Sequence, residues 1–212
     1  MRYSVKSVDR EFSPSEAAHI SGVSTSLQRD WRRRGVIRSR SEGWHRFALE
    51  EVIRMTVMRA FTQSGISIET ADGVADLAVL PVMSELARWD DVAIFVGDDL
   101  SDEQQERVRS GYIKGVSGDD QFTFVALPET SNSLRAARLQ DLRGGELVMG
   151  TSGNFYGIVL DHNLLAHRIA ELAPLPIITF EIEAFEDNAD TTTANVLEFG
   201  APVPLDSSDD QS

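Results

Sequence analysis

Cysteine is absent from the 212 residues, which removes disulfides, thiolate metal sites and thiol redox sensing from consideration. Long apolar runs are absent as well: nothing approaches the ~18 consecutive apolar residues that mark a membrane span, so no membrane partner is expected. Met1 to Phe12 mixes charged and polar side chains without an apolar centre, unlike a secretory leader. Histidine is scarce, with His162 and His167 lacking a metal-binding spacing and a third ligand; no metal is expected. A cytoplasmic protein is the simplest reading of these absences.

What the chain does hold is unevenly charged. Hydrophobic residues make up 42% and charged residues 25%, as in ordinary globular proteins. The length suits a module of ~70–80 residues followed by a domain of ~100. The net charge of −14 argues against nucleic acid at first sight. Residues 1–80, however, hold 12 basic and 10 acidic residues, and the remainder 8 and 24. Between Leu27 and Phe47 stand Arg29, Arg32, Arg33, Arg34, Arg38, Arg40 and Arg46 against only Asp30 and Glu42. Salt screens charge beyond ~8–10 Å, so this local excess can attract phosphates whatever the distant acids do.

Ser13-Pro14-Ser15-Glu16 opens a helix: Ser13 can cap it, Pro14 fits the first turn and Glu16 completes a capping box. That helix spans Pro14–Ile20, packs Ala17, Ala18 and Ile20, and is stapled from outside by Phe12. Gly22 supplies a turn, and Ser24 caps a second helix over Thr25–Arg34 that Gly35 stops. Two short helices joined in this way form a helix-turn-helix. At 100° per residue, Leu27 and Trp31 share the inner face of the second helix, and Thr25, Ser26, Arg29, Arg32 and Arg33 spread over the outer one. Such a helix can pack on its scaffold while meeting phosphates and base edges. Val36 to Phe47 reads as a hairpin turning at Gly43, with Trp44 and Phe47 as anchors and Arg38, Arg40, His45 and Arg46 turned toward a backbone. Helices over Leu49–Ser64 and Ile68–Leu80 complete the module, with a break at Gly65-Ile66-Ser67.

The segment resembles the MerR family of winged-helix regulators. The matching pieces are Phe12-Ser-Pro-Ser-Glu-Ala-Ala18, Gly22-Val-Ser24, Arg29, Arg33-Arg-Gly-Val-Ile37, Gly43-Trp-His-Arg-Phe47, Glu50-Glu-Val52 and Ser64-Gly-Ile-Ser-Ile68. The resemblance covers about a third of the chain. It implies four helices with a two-stranded wing, and a two-fold dimer that binds an inverted repeat and often distorts the promoter. Arg29 matches the family's recognition-helix arginine, Trp31 a common aromatic position and Phe47 the wing aromatic. Asp30 replaces a usual aromatic, Thr25, Ser26 and Gln28 depart from the common pattern, and His45 stands where the wing usually has arginine. Family activators continue into a long dimerisation helix, whereas Pro81 interrupts the pattern here.

Beyond Leu80 the chain reads as mixed α/β. Strands are expected over Val92–Val96, Gln121–Leu127, Glu146–Met149, Phe155–Leu160 and Pro176–Phe185. Helices are expected over Ser101–Ser110, Ser133–Leu142 and Asn163–Leu172, the last with Leu164, Leu165, Ile169 and Leu172 facing inward. Glu186–Asn195 reads as a loop. Asp98-Asp99 and Asp119-Asp120 read as solvated turns. Gly144-Gly145 and Gly150-Thr-Ser-Gly153 lack the lysine and the strand-to-helix setting of a phosphate loop and read as hairpin turns. No nucleophile–base constellation stands out, so neither enzyme activity nor a cofactor is expected.

The expected fold class is α+β: a winged helix-turn-helix over 1–80, a mixed α/β dimerisation or sensor domain over 81–205, and an acidic tail over 206–212. The expected function is a homodimeric, sequence-specific regulator of transcription on double-stranded DNA, with RNA polymerase as a candidate further partner. Thr25, Ser26, Arg29, Arg32 and Arg33 would meet DNA from the helix, and Arg40, His45 and Arg46 from the wing. Two alternatives are an architectural recombination or excision factor and a protein-interaction module whose helix-turn-helix no longer binds DNA.

Overall fold

The computed structural model describes residues 2–37, 46–116, 122–127, 134–137, 156–185 and 196–197. Helices and strands alternate in an α+β arrangement. The chain opens with strand β1 (Arg2–Asp9) and passes into helices α1 (Pro14–Ser21), α2 (Thr25–Arg33), α3 (Leu49–Gln63) and α4 (Ile68–Leu86). It continues through β2 (Ala93–Gly97), α5 (Asp102–Val116), β3 (Phe122–Leu127), β4 (Leu134–Ala137), β5 (Tyr156–Asp161), α6 (His162–Leu172), β6 (Ile178–Phe185) and β7 (Val196–Leu197).

Two sheets form. The first has the order β2-β6-β1-β7, the second β4-β3-β5. In the first, β1 runs antiparallel to β6 from Arg2↔Phe185 to Asp9↔Ile178, and β2 runs parallel to β6 on its other side. The sheet has one covered and one wet face. Phe180 stacks on Phe95 and meets Tyr112 of α5 edge-on, at centroid distances of 5.1 and 5.3 Å. Lys6 and Glu181 form an exposed ion pair on the other face, the alternation expected of a half-buried sheet. Gly97, at the end of β2, has φ +114°; a Cβ there would lie 2.0 Å from the carbonyl oxygen of Ile182, so only glycine lets β2 approach β6 this closely.

α4 joins the helical and sheet halves. It packs on α3, α5 and α6, and Ala71, Val74, Ala75, Ala78, Val79, Val82, Met83 and Leu86 are buried along it. These side chains belong to one continuous core that runs from Phe12 and Phe47 to Ile178 and Phe180. Arg54 of α3 reaches both Asp72 and Asp76 of α4 across that contact. Arg109 of α5 is 7% exposed and is fully engaged: it donates to the carbonyls of Ala87 and Ala93 and to Asp90, and lies over the Phe95 ring.

Several sequence expectations are corrected. Pro81 does not end its helix; α4 passes through it to Leu86. An interior proline costs ~3 kcal/mol by losing a hydrogen bond and crowding the carbonyl four residues back. Here that residue is Leu77, on the exposed side of the helix at 41% exposure. Burying Val82, Met83 and Leu86 returns ~1.5–3 kcal/mol each, enough to carry the helix past the break. Residues 134–137 form a strand paired with β3 where a helix was expected; the β ladder there overrides the local helical pattern. Leu164 is 68% exposed and does not face inward, whereas Leu165 and Ile169 are buried. At 100° per residue Leu164 and Leu165 cannot both lie at the centre of one buried stripe. Residues 2–9, for which no element was expected, form a strand. Phe12 is fully buried and pairs through its backbone with Phe47, a deeper position than a staple. The hairpin turn at Gly43, the strand expected over Glu146–Met149, and the turns at Asp119-Asp120, Gly144-Gly145 and Gly150–Gly153 lie outside the described residues.

Candidate nucleic-acid interface

The site is assembled from local rules at the α1–α2 turn. Ser13 caps α1 by accepting from the backbone N–H of Glu16, whose carboxylate accepts from the Ser13 N–H at 2.7 Å. These hydrogen bonds from the Ser13 backbone and side chain hold the Glu16 carboxyl below its ordinary value, with Arg10 and Arg46 assisting. Ser21 Oγ donates to the Ala17 carbonyl and accepts from the Val23 N–H. Gly22 takes φ +69°, a left-handed geometry that other side chains rarely adopt. Ser24 then caps α2 through the Leu27 N–H.

Gln28 completes the turn. Although it lies on an arginine-rich helix, it is 1% exposed, and its Nε2 donates to the carbonyls of Pro14 and Val23, both at 3.0 Å. The amide ties the start of α1 to the start of α2 and fixes how far apart the helices can open. Sequence reasoning missed this role. The signal was available: Ser24, Gln28 and Trp31 follow helical spacing on the side of α2 that faces α1. Trp31, 3% exposed, anchors the far end, and its carbonyl accepts from Val36 and Ile37. Leu27, assigned to the same inner face, is half-buried.

The outer face presents Thr25, Ser26, Arg29 and Arg33, all exposed. The Arg29 side chain makes no ion pair or hydrogen bond with any described residue. Arg33 pairs with Asp30 at 2.5 Å, and Arg34 bridges Asp30 and Glu69 of α4. Arg32 is placed differently from its neighbours. It lies at the edge of the outer face, its guanidinium sits 5.9 Å from the Phe47 ring centroid, and its Nε is buried. It therefore packs α2 against Phe47. Arg46 is exposed beside the start of α1, where its Nη1 reaches the Glu11 carbonyl at 3.5 Å. Arg40 and His45 lie outside the described residues. Thr25, Ser26, Arg29 and Arg33 thus share one open surface, with Arg46 on a neighbouring one.

This geometry is a helix-turn-helix with a basic, hydroxyl-bearing outer face. Residues 12–77 match the family model of the MerR HTH family regulatory protein. The N-terminal segment is a MerR-like helix-turn-helix domain. No curated protein matches the chain. The match begins at Phe12, the first residue of the Phe12–Phe47 bridge, and covers α1 to the middle of α4. The MerR-like domain therefore includes the Gln28 lock, the Arg29 face and the α3–α4 pair that supports them. No helix of the described residues is long and apolar enough to cross a membrane. Among the same residues, no group of three or more His, Asp or Glu could hold a metal ion.

Proposed function

We propose that the chain is a cytoplasmic transcriptional regulator that binds a specific double-stranded DNA site as a homodimer. The observation that carries this is Arg29, without a side-chain partner among the described residues, set between Thr25, Ser26 and Arg33 on a helix whose inner side is locked by Gln28 and Trp31. In this reading α2 lies in the major groove. Arg29 reads a base edge or grips a phosphate, Thr25 and Ser26 donate from the first turn, and Arg33 contacts the backbone after releasing Asp30. Arg32 serves the interface by fixing the wing root, while Arg40, His45 and Arg46 hold phosphate from the wing. A two-fold protein on a two-fold site doubles the readout of a short helix. The role involves no catalysis and no cofactor, and RNA polymerase is the natural further partner of a promoter-bound regulator.

The test is genome-wide recovery of bound DNA, followed by titration of the recovered site with purified full chain over a salt series. A steep fall of affinity with salt and an inverted-repeat motif are expected. Failure to enrich any fragment, or a flat salt response, would refute the proposal.

A further inference from the structure

Among the described residues, strand β2 is an edge strand: it pairs with β6 on one side only. The parallel register determines which of its backbone groups are free. Ile178 N–H donates to the Val92 carbonyl and Asp98 N–H donates to the Ile182 carbonyl, so Val92, Ile94, Val96 and Asp98 turn their polar backbone groups toward β6. Ala93, Phe95 and Gly97 turn theirs outward. Ala93 is already satisfied, its N–H by the Trp89 carbonyl and its carbonyl by Arg109. Phe95 and Gly97 remain with outward N–H and C=O groups and no strand beside them among the described residues. Beyond Ala93, which Arg109 covers, the strand Ala-Ile-Phe-Val-Gly carries no lysine or proline on this edge. Its side chains leave the edge clear, since Phe95 turns onto Phe180 and Val96, on the opposite face, is 51% exposed.

We infer that β2 pairs with β2 of a second copy of this chain, antiparallel about a two-fold axis at Val96, joining two four-stranded sheets into one. The free groups select this register. With Phe95 opposite the partner's Gly97, and Gly97 opposite the partner's Phe95, each pair exchanges N–H···O bonds in both directions. Sliding so that Phe95 meets the partner's Phe95 sets Gly97 against the partner's Ala93, whose groups are already taken. Sliding the other way runs off the strand into Asp99. In the selected register Asp98 faces the partner's Ile94, so no two carboxylates oppose each other across the strands. Two-fold self-pairing is also what the proposed DNA site demands of its protein. The inference takes its choice of partner from that reading and supplies a dimer contact that does not need a long helix.

The absence of cysteine makes the test clean. Val96 and the partner's Val96 form a non-hydrogen-bonded pair with Cα atoms ~4.5 Å apart, inside the ~4.4–6.8 Å range of disulfides. Full-length Val96→Cys, oxidised mildly, should run as a linked dimer. Ile94→Cys should not link, because two strand steps on either side of the axis separate it from its copy by ~13 Å. Light scattering should find wild type dimeric and Val96→Lys, with two ammonium groups at the axis, at least tenfold weaker in association while keeping the wild-type circular dichroism spectrum. The inference is overturned if wild type is monomeric, if Val96→Lys dimerises like wild type, or if Ile94→Cys links as readily as Val96→Cys. A chain that links at position 96 but retains no DNA supports the interface and removes the regulator reading. A chain that binds an inverted repeat as a dimer yet ignores both Val96 changes does the reverse.

Discussion

Replacing Gln28 tests whether the turn, and not only the arginines, makes the interface. Its Nε2 donates two buried hydrogen bonds, to the Pro14 and Val23 carbonyls. A hydrogen bond of this kind contributes ~0.5–1.5 kcal/mol net, so Gln28→Ala forfeits roughly 1–3 kcal/mol before any cavity forms. For a chain of this size each kcal/mol moves the melting temperature by ~2–4 °C, giving an expected fall of roughly 2–12 °C. Gln28→Glu is the sharper variant. It preserves volume but turns a donor into a carboxylate facing two carbonyl oxygens, and above its pKa it should melt below Gln28→Ala. Melting followed by circular dichroism at pH 7, with DNA titration in parallel, reads both effects. Affinity should fall in both variants although no DNA-facing group has been touched. If Gln28→Glu melts within a degree of wild type at pH 7, the account of the turn is wrong.

Arg29→Ala should weaken DNA binding by ~1–3 kcal/mol if it reads a base, or lower the salt slope by ~1 if it grips a phosphate, with an unchanged melt; an unchanged isotherm would contradict its role. Arg32→Ala should lower the melting temperature through lost packing on Phe47 while leaving the salt slope nearly intact, and a full-unit drop in slope would reassign it to phosphate. Burial, with Glu50 second, holds the Asp9 carboxyl above its ordinary 3.8. The fold therefore favours the protonated form: the stability this contributes is present below the unfolded value and is lost as pH rises through the folded one. Asp9→Asn should accordingly raise the melting temperature at pH 7 and change it little near pH 3.5, and an equal change at both pH values would refute the assignment. Pro81→Ala should stabilise α4 by up to ~3 kcal/mol, and a lower melting temperature would show that the proline is needed where it stands.

The helix-turn-helix was legible because its signals are local. Ser13, Glu16, Gly22 and Ser24 announce caps and a turn through their own chemistry, and each occupies that position in the structure. That Gln28 lies on the inward side of α2 could be read from its spacing to Ser24 and Trp31. Its lock could not, because its partners are backbone carbonyls, of Pro14 on α1 and Val23 in the turn, which leave no side-chain pattern. β1 was hidden for a related reason. Tyr3 and Val5 alternate with polar residues over too short a stretch to announce a strand, and the partner that justifies them lies about 175 residues away. Pro81 misled because a local cost was weighed without the buried side chains beyond it. Arg32 and Arg33 are adjacent and identical in type. In the structure Arg32 lies over Phe47 while Arg33 pairs with Asp30, and the contact with Phe47, from a distant part of the chain, cannot be read from spacing.

The placement of β1 and β2 on either side of β6 has a consequence for ancestry and for engineering. The chain lays down one strand of the sheet, departs to build four helices, and returns to the same sheet for the next strand. The helix-turn-helix unit is topologically an insertion between two strands, not a head attached by one neck. Exchanging it for another helix-turn-helix therefore requires two crossovers, one near Arg10–Phe12 and one between Ala87 and Val92. A single cut near residue 80 would strand β1 on the wrong fragment and remove Val82, Met83 and Leu86 from the helix they anchor.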